Sequence, residues 1–161
     1  MKDLTSANLK TRSYFPVVLA GKEMVGIVVM SYSTGKNVAV IAVPVRNQSA
    51  MTGVMGASVY LDTLTDKLRN KVPEPLVFYA IDTESQFALH SDKGQISRNV
   101  AMIGSESSFR RAIDTMRAQS SGTVEYDDGG IHYSARFRSD PLTGWRFVVA
   151  WPQSGNTTAA K

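Results

Sequence analysis

The chain has 161 residues, 43% of them hydrophobic, which is enough to bury the core of one ordinary domain or two small lobes and excludes a disordered chain. Its 18 basic and 14 acidic side chains leave a net charge of +4, a mild bias toward anionic partners that any solvated surface can carry. It has no cysteine, so disulfides, thiolate metal sites and a cysteine nucleophile are excluded, and no run approaches the ~18 apolar residues of a membrane span, so the chain as given reads as soluble.

Residues 1 to 13 are polar, and MKDLTSANLKTRS lacks the apolar core of a signal peptide. Ser13 before YFPVVLAG reads as the N-cap of a helix of about two turns, with Pro16 in its first turn and Gly21 as its stop. Met24 to Met30 has strand character, and Ser31 to Gly35 forms a hairpin loop into the stretch that organises the chain, Lys36 to Leu61. The first half of that stretch is a strand in which Pro44, with no ladder donor, marks an end or an edge. Asn47 to Ala50 is a turn. The second half has period two, with Val54, Gly56, Ser58 and Tyr60 on one face and Met55, Ala57, Val59 and Leu61 on the other. The glycine-bearing face leaves room for another backbone or for a ligand, and the sequence does not choose between them.

Asp62 reads as the cap of a helix with Leu61, Leu64, Leu68 and Val72 on one stripe, ending at Pro73. Leu76 to Ile81 and Phe87 to His90 form a hairpin across Asp82 to Ser85, and after a polar loop Ser105 caps a helix whose Phe109, Ala112, Ile113 and Met116 share a face. Three strands close the chain: Thr123 to Tyr126, Ile131 to Phe137, and Trp145 to Trp151, joined at Asp127 to Gly130 and at Asp140 to Gly144. The last strand sends Trp145, Phe147, Val149 and Trp151 to one face, which predicts Trp145 buried in the core of the second half. The whole is an α+β arrangement of antiparallel sheets with flanking helices.

Strand, strand, loop, helix and three strands is the order of a PAS-like sheet, and here the chain resembles the double Cache sensor family, the ligand-binding regions of bacterial transmembrane receptors. The resemblance is carried by Arg12-Ser13-Tyr14-Phe15 with Ala20-Gly21, by Ser33-Thr34-Gly35-Lys36 with Ala42-Val43-Pro44-Val45, and by Gly53-Val54-Met55-Gly56-Ala57-Ser58-Val59. It continues through Ile81-Asp82 and Leu89-His90-Ser91-Asp92 to Thr143-Gly144-Trp145. A complete region of this kind opens with a long helix and two further strands. The resemblance therefore implies a partial membrane-distal Cache lobe over 1–60, a complete membrane-proximal lobe over 61–152 and a flexible tail over 153–161.

The resemblance also implies a ligand site. Family members that bind amino acids hold the carboxylate with the arginine and aromatic matched by Arg12 and Tyr14, and the amine with an aspartate where this chain has Ser58. Tyr32 in the hairpin loop is expected to line the same cavity. Because a hydroxyl cannot neutralise a buried ammonium, a carboxylate is expected as ligand ahead of an amino acid. The alternative for Arg12 is an ordinary surface arginine. The proximal lobe is expected to bind nothing. No cofactor, metal or catalytic residue is expected: His90 and His132 are the only histidines, and no Gly-x-Ser-x-Gly, phosphate loop or metal spacing occurs. Arg110, Arg111 and Arg117 are mixed with Asp114, so nucleic acid is not expected either.

The reading is a sensor region of a chemoreceptor, histidine kinase or diguanylate cyclase. The resemblance implies a parent anchored in the membrane at the periplasmic or extracellular face of the bacterial inner membrane, with a homodimer as an allowed state. The alternative is a soluble PAS-like interaction domain.

Overall fold

The computed structural model describes residues 9–48 and 50–153, so the expectations for residues 1–8 and for the tail from residue 154 fall outside the described residues. Helix α1 (Tyr14–Leu19) ends as the sequence predicts: Ala20 N–H donates to the Pro16 carbonyl, and Gly21, at φ +88, donates to Val18. Its start differs. Ser13 already has helical backbone angles and makes no capping bond; its hydroxyl reaches Glu84 Oε1 at 3.4 Å instead.

Strands β1 (Met24–Met30), β2 (Asn37–Asn47) and β3 (Ala50–Tyr60) form an antiparallel meander in the order β1-β2-β3. Pro44 does not end its strand. β1 pairs with β2 only as far as Ala42, and Pro44 falls in the stretch beyond, where β2 has β3 as its one neighbour. Val38, Val40 and Ala42 are buried with Ile27 beneath Tyr14 and Val18 of α1. Directly paired residues share a face, so Val54, Gly56 and Ser58, opposite Pro44, Ala42 and Val40, lie on the α1 side. Of the other set, Met55, Ala57 and Val59 face outward, Met55 being 63% exposed, whereas Leu61 is buried.

Helix α2 (Leu61–Arg69) has Tyr60, not Asp62, at its N-cap position, without a side-chain capping bond, and stops before Val72. Strands β4 (Val77–Ile81) and β5 (Phe87–His90) lead through two short 3-10 turns to helix α3 (Ser108–Ala118), whose N-cap position is Ser107 instead of Ser105 and makes no side-chain capping bond. Strands β6 (Ser121–Asp128), β7 (Ile131–Ser139) and β8 (Arg146–Pro152) complete a five-stranded sheet ordered β5-β4-β8-β7-β6. The first and last strands of this lobe are thus neighbours at its centre, the PAS-like arrangement. The stripe of α3 packs on Tyr79, Ile81, Phe137, Val148 and Ala150. Arg146 fixes its far end, donating from Nε and Nη2 to the otherwise unsatisfied carbonyls of Met116 and Arg117 at 3.2 and 2.8 Å.

Because α3 covers Val148 and Ala150, the opposite face of β8 is not a core. Phe147 is 42% exposed. Trp145 is buried all the same, but between the lobes: it packs with Val28 and Ala39 of the first sheet and with Leu61, Ala80 and Leu89. Its Nε1–H donates to the Gly26 carbonyl at 2.7 Å. Gly26 stands at φ +85 where the β1–β2 register slips, and a Cβ there would come within 2.8 Å of that nitrogen.

Candidate functional site

The first lobe holds a cleft of about 250 Å³ whose lining includes Arg12, Tyr14 and Tyr32. Three residues far apart in sequence meet because α1 lies across the small-residue face of the sheet and the β1–β2 loop curls back over its start. Tyr14 forms the buried floor at 6% exposure and Val40 the adjoining wall. Arg12 is held from two sides: its Nη2 donates to the Met30 carbonyl at 2.6 Å, and its guanidinium carbon lies 3.6 Å from the centre of the Tyr32 ring. Stacking leaves the edge of a guanidinium, with its forked N–H groups, open to a carboxylate. Among the described residues no acidic side chain pairs with Arg12.

Ser58 is not part of the lining. It pairs with Val40 and is exposed on the same face, one strand further out. What sequence reasoning did not single out is the loop's polar pair, Ser31 and Ser33, both in the lining with hydroxyls 3.1 Å apart. Serines in a Ser-Tyr-Ser-Thr-Gly loop read as turn residues, and only the fold aims them at the cleft.

A larger hollow lies elsewhere. About 790 Å³ opens over the outer face of the five-stranded sheet, where Arg136, Arg138, Phe147 and Val149 stand together. It is a bare sheet face with no enclosing wall, so the smaller cleft is the better candidate for a small molecule. Among the described residues no group of His, Asp and Glu has the arrangement of a metal site.

No family model and no curated protein matches the chain. Among solved structures it is similar to the ligand-binding domain of the Pseudomonas fluorescens chemoreceptor CtaA in complex with L-isoleucine, with a TM-score of 0.70 and 14% identity over 92% of this chain and 60% of that one. It is similar also to the ligand-binding domain of the Pseudomonas aeruginosa PAO1 amino acid chemoreceptor PctB in complex with L-Arg, with a TM-score of 0.70 and 15% identity over 98% of this chain and 66% of that one. A third neighbour is the extracellular domain of mmHK1S-Z2, assigned as a histidine kinase, with a TM-score of 0.72 and 16% identity over 91% and 57%. The chain therefore has the α+β fold of Cache-type extracellular sensor domains, and spans about 60% of the length of the CtaA domain.

These neighbours correct one expectation. CtaA is held with L-isoleucine and with L-serine, and PctB with L-Arg, so ranking a carboxylate ahead of an amino acid does not stand. That ranking rested on Ser58 replacing an aspartate. An ammonium has three donors that neutral carbonyl and hydroxyl oxygens can satisfy, and one absent carboxylate does not exclude an amine.

Proposed function

We propose that the chain is the ligand-binding region of a bacterial transmembrane receptor and that the Arg12 cleft takes an α-amino acid. In this reading Arg12 grips the carboxylate, Tyr14 and Tyr32 wall the cleft, and Ser31 and Ser33 offer hydroxyl oxygens to the ammonium. The observation that carries it is the arginine itself, pre-positioned by the Met30 carbonyl and the Tyr32 ring at the mouth of the cleft with no acidic partner among the described residues. A guanidinium fixed before the ligand arrives loses little side-chain freedom on binding.

The three-stranded part would be the membrane-distal lobe and the five-stranded part the membrane-proximal one. The parent would display both at the periplasmic or extracellular face. Among the described residues no helix is long and apolar enough to cross a membrane, so anchoring would fall to other segments. Ligand occupancy would favour one packing of the lobes over another and so bias an output domain. Catalysis has no support, since the neighbours are sensor domains.

Thermal denaturation with each of the twenty standard amino acids tests this. A ligand at one hundred times its dissociation constant adds about 2.7 kcal/mol, roughly 5–10 °C for a chain of this size. An amino acid bound in this cleft should stabilise Arg12→Ala clearly less than the parent and keep its full shift in Arg136→Ala, on the other sheet. If no amino acid stabilises the parent, or Arg12→Ala keeps the full shift, the assignment of this cleft is wrong.

A further inference from the structure

A second cleft, of about 260 Å³, lies in the five-stranded lobe between β5, the 3-10 turns and the β6–β7 hairpin. Its volume is that of roughly nine waters at ~30 Å³ each, which suits a small metabolite and not a drug-sized ligand. Phe87 and Phe109 floor it, both buried, with ring centres 6.4 Å apart. On this apolar floor stand His90, Arg98, Asp92 and Asp128.

The orientation of His90 is determined. The Asp92 backbone N–H donates to its Nδ1 at 2.9 Å, so in the neutral ring Nε2 carries the proton. The ring is packed flat on Tyr79, 5.8 Å between centres, and edge-on to Phe87. Burial lowers its pKa, which keeps the ring neutral and a single-proton donor at neutral pH.

The charged groups divide into those already engaged and those not. Asp92 is engaged, accepting from Gly94 N–H and from the Gln95 amide. Asp127, next to the cleft, is taken up by His132 and Ser108. Arg98 is different: Nη1 donates to Gln95 Oε1 at 2.5 Å, its backbone is pinned at both ends, and among the described residues no carboxylate pairs with it. Asp128 likewise has no hydrogen bond or ion pair from its carboxylate among the described residues. One guanidinium and one carboxylate thus share a small aromatic-floored cleft without satisfying each other.

We propose that this cleft is a second ligand site, for a small zwitterion whose carboxylate is received by Arg98 and His90 Nε2–H and whose ammonium is received by Asp128. Two carboxylates against one guanidinium make the lining net negative, which disfavours a simple anion, and a simple cation would leave Arg98 without a counter-charge. The inference does not depend on the Arg12 cleft, which belongs to the other lobe.

The test uses the full chain carrying Arg12→Ala, so that the first cleft is disabled. The twenty standard amino acids are screened by thermal shift and by the His90 ring resonances in 1H–15N spectra. Each amino acid that binds is then compared with its amine-free acid. At least one small amino acid should stabilise this variant and move the His90 Nε2 signal. Adding Asp128→Asn or Arg98→Gln should weaken it tenfold or more, and the amine-free acid should bind at least tenfold more weakly. If Arg98→Gln fails to fold, Asp128→Asn decides alone, because its exposed side chain holds nothing in place. No response to any of the twenty at millimolar concentration, binding unchanged in Asp128→Asn, or equal binding of the amine-free acid would each overturn the proposal. Loss of all binding with Arg12→Ala would instead support the first cleft and refute the second.

Discussion

Replacing Trp145 tests how the two lobes are joined. The side chain is 4% exposed, packs against residues of both sheets and makes one buried hydrogen bond, to the Gly26 carbonyl. Truncation to alanine removes a large aromatic from a site that cannot fully collapse, at a cost of about 3–5 kcal/mol, or a fall in Tm of roughly 6–20 °C for a chain this long. Phenylalanine keeps most of the apolar contact and loses the N–H, leaving the Gly26 carbonyl unpaired, for about 1–2 kcal/mol. Gly26→Ala attacks the same contact from the other side, since its Cβ would meet the indole nitrogen at 2.8 Å and φ +85 strains any side chain. The losses from Gly26→Ala and Trp145→Ala should therefore be less than additive. Circular dichroism melts of the parent, the three single variants and the Gly26→Ala/Trp145→Ala double variant give the answer, and hydrogen exchange in Met24–Met30 should rise in the Trp145 variants. A Trp145→Ala protein melting within about 2 °C of the parent, or full additivity with Gly26→Ala, would refute the interlobe contact as the source of stability.

Two further outcomes follow from local features. Asp82 is buried, with Oδ1 accepting from Glu84 and Gln86 N–H groups and the Val28 backbone N–H also facing its carboxylate, and burial raises its pKa from 3.8 to about 6 despite these groups. The folded chain therefore retains a proton that the unfolded chain releases, so stability should fall as pH rises from about 4 to 6, by at most ~3 kcal/mol, and remain lower above that. Asp82→Asn should remove this slope and raise Tm at pH 8; parallel pH profiles for the two proteins would refute it. Strand β3 has no partner strand on its outer edge among the described residues, and most of its side chains are exposed. By mass spectrometry its amides should exchange faster than those of β8, which is flanked on both sides, unless a second copy pairs with that edge; equal protection in a monomer would contradict this.

Whatever depends on neighbours in sequence was legible beforehand. The stripe of Phe109, Ala112, Ile113 and Met116 buries as its spacing demands, because helical periodicity leaves those residues no other common face. Gly21, Gly129 and Gly130 take positive φ where the turns require it, since side chains rarely tolerate that backbone. The strands, and the turns between them, followed from the same local chemistry. Which face of a strand becomes core did not. Phe147 and Val149 alternate as cleanly as Val148 and Ala150, and α3 alone decides that the second pair is inside. Trp145 carries a burial signal in its size, but its place between the lobes depends on a bulge at Gly26, distant in the chain. The clefts are of the same kind. Arg12, Tyr14 and Tyr32 could be named from a resemblance, whereas Ser31, Ser33 and the grouping of His90, Arg98 and Asp128 could not. Periodicity records the angle at which a side chain leaves its own backbone, and a site is made by which other backbone it then meets.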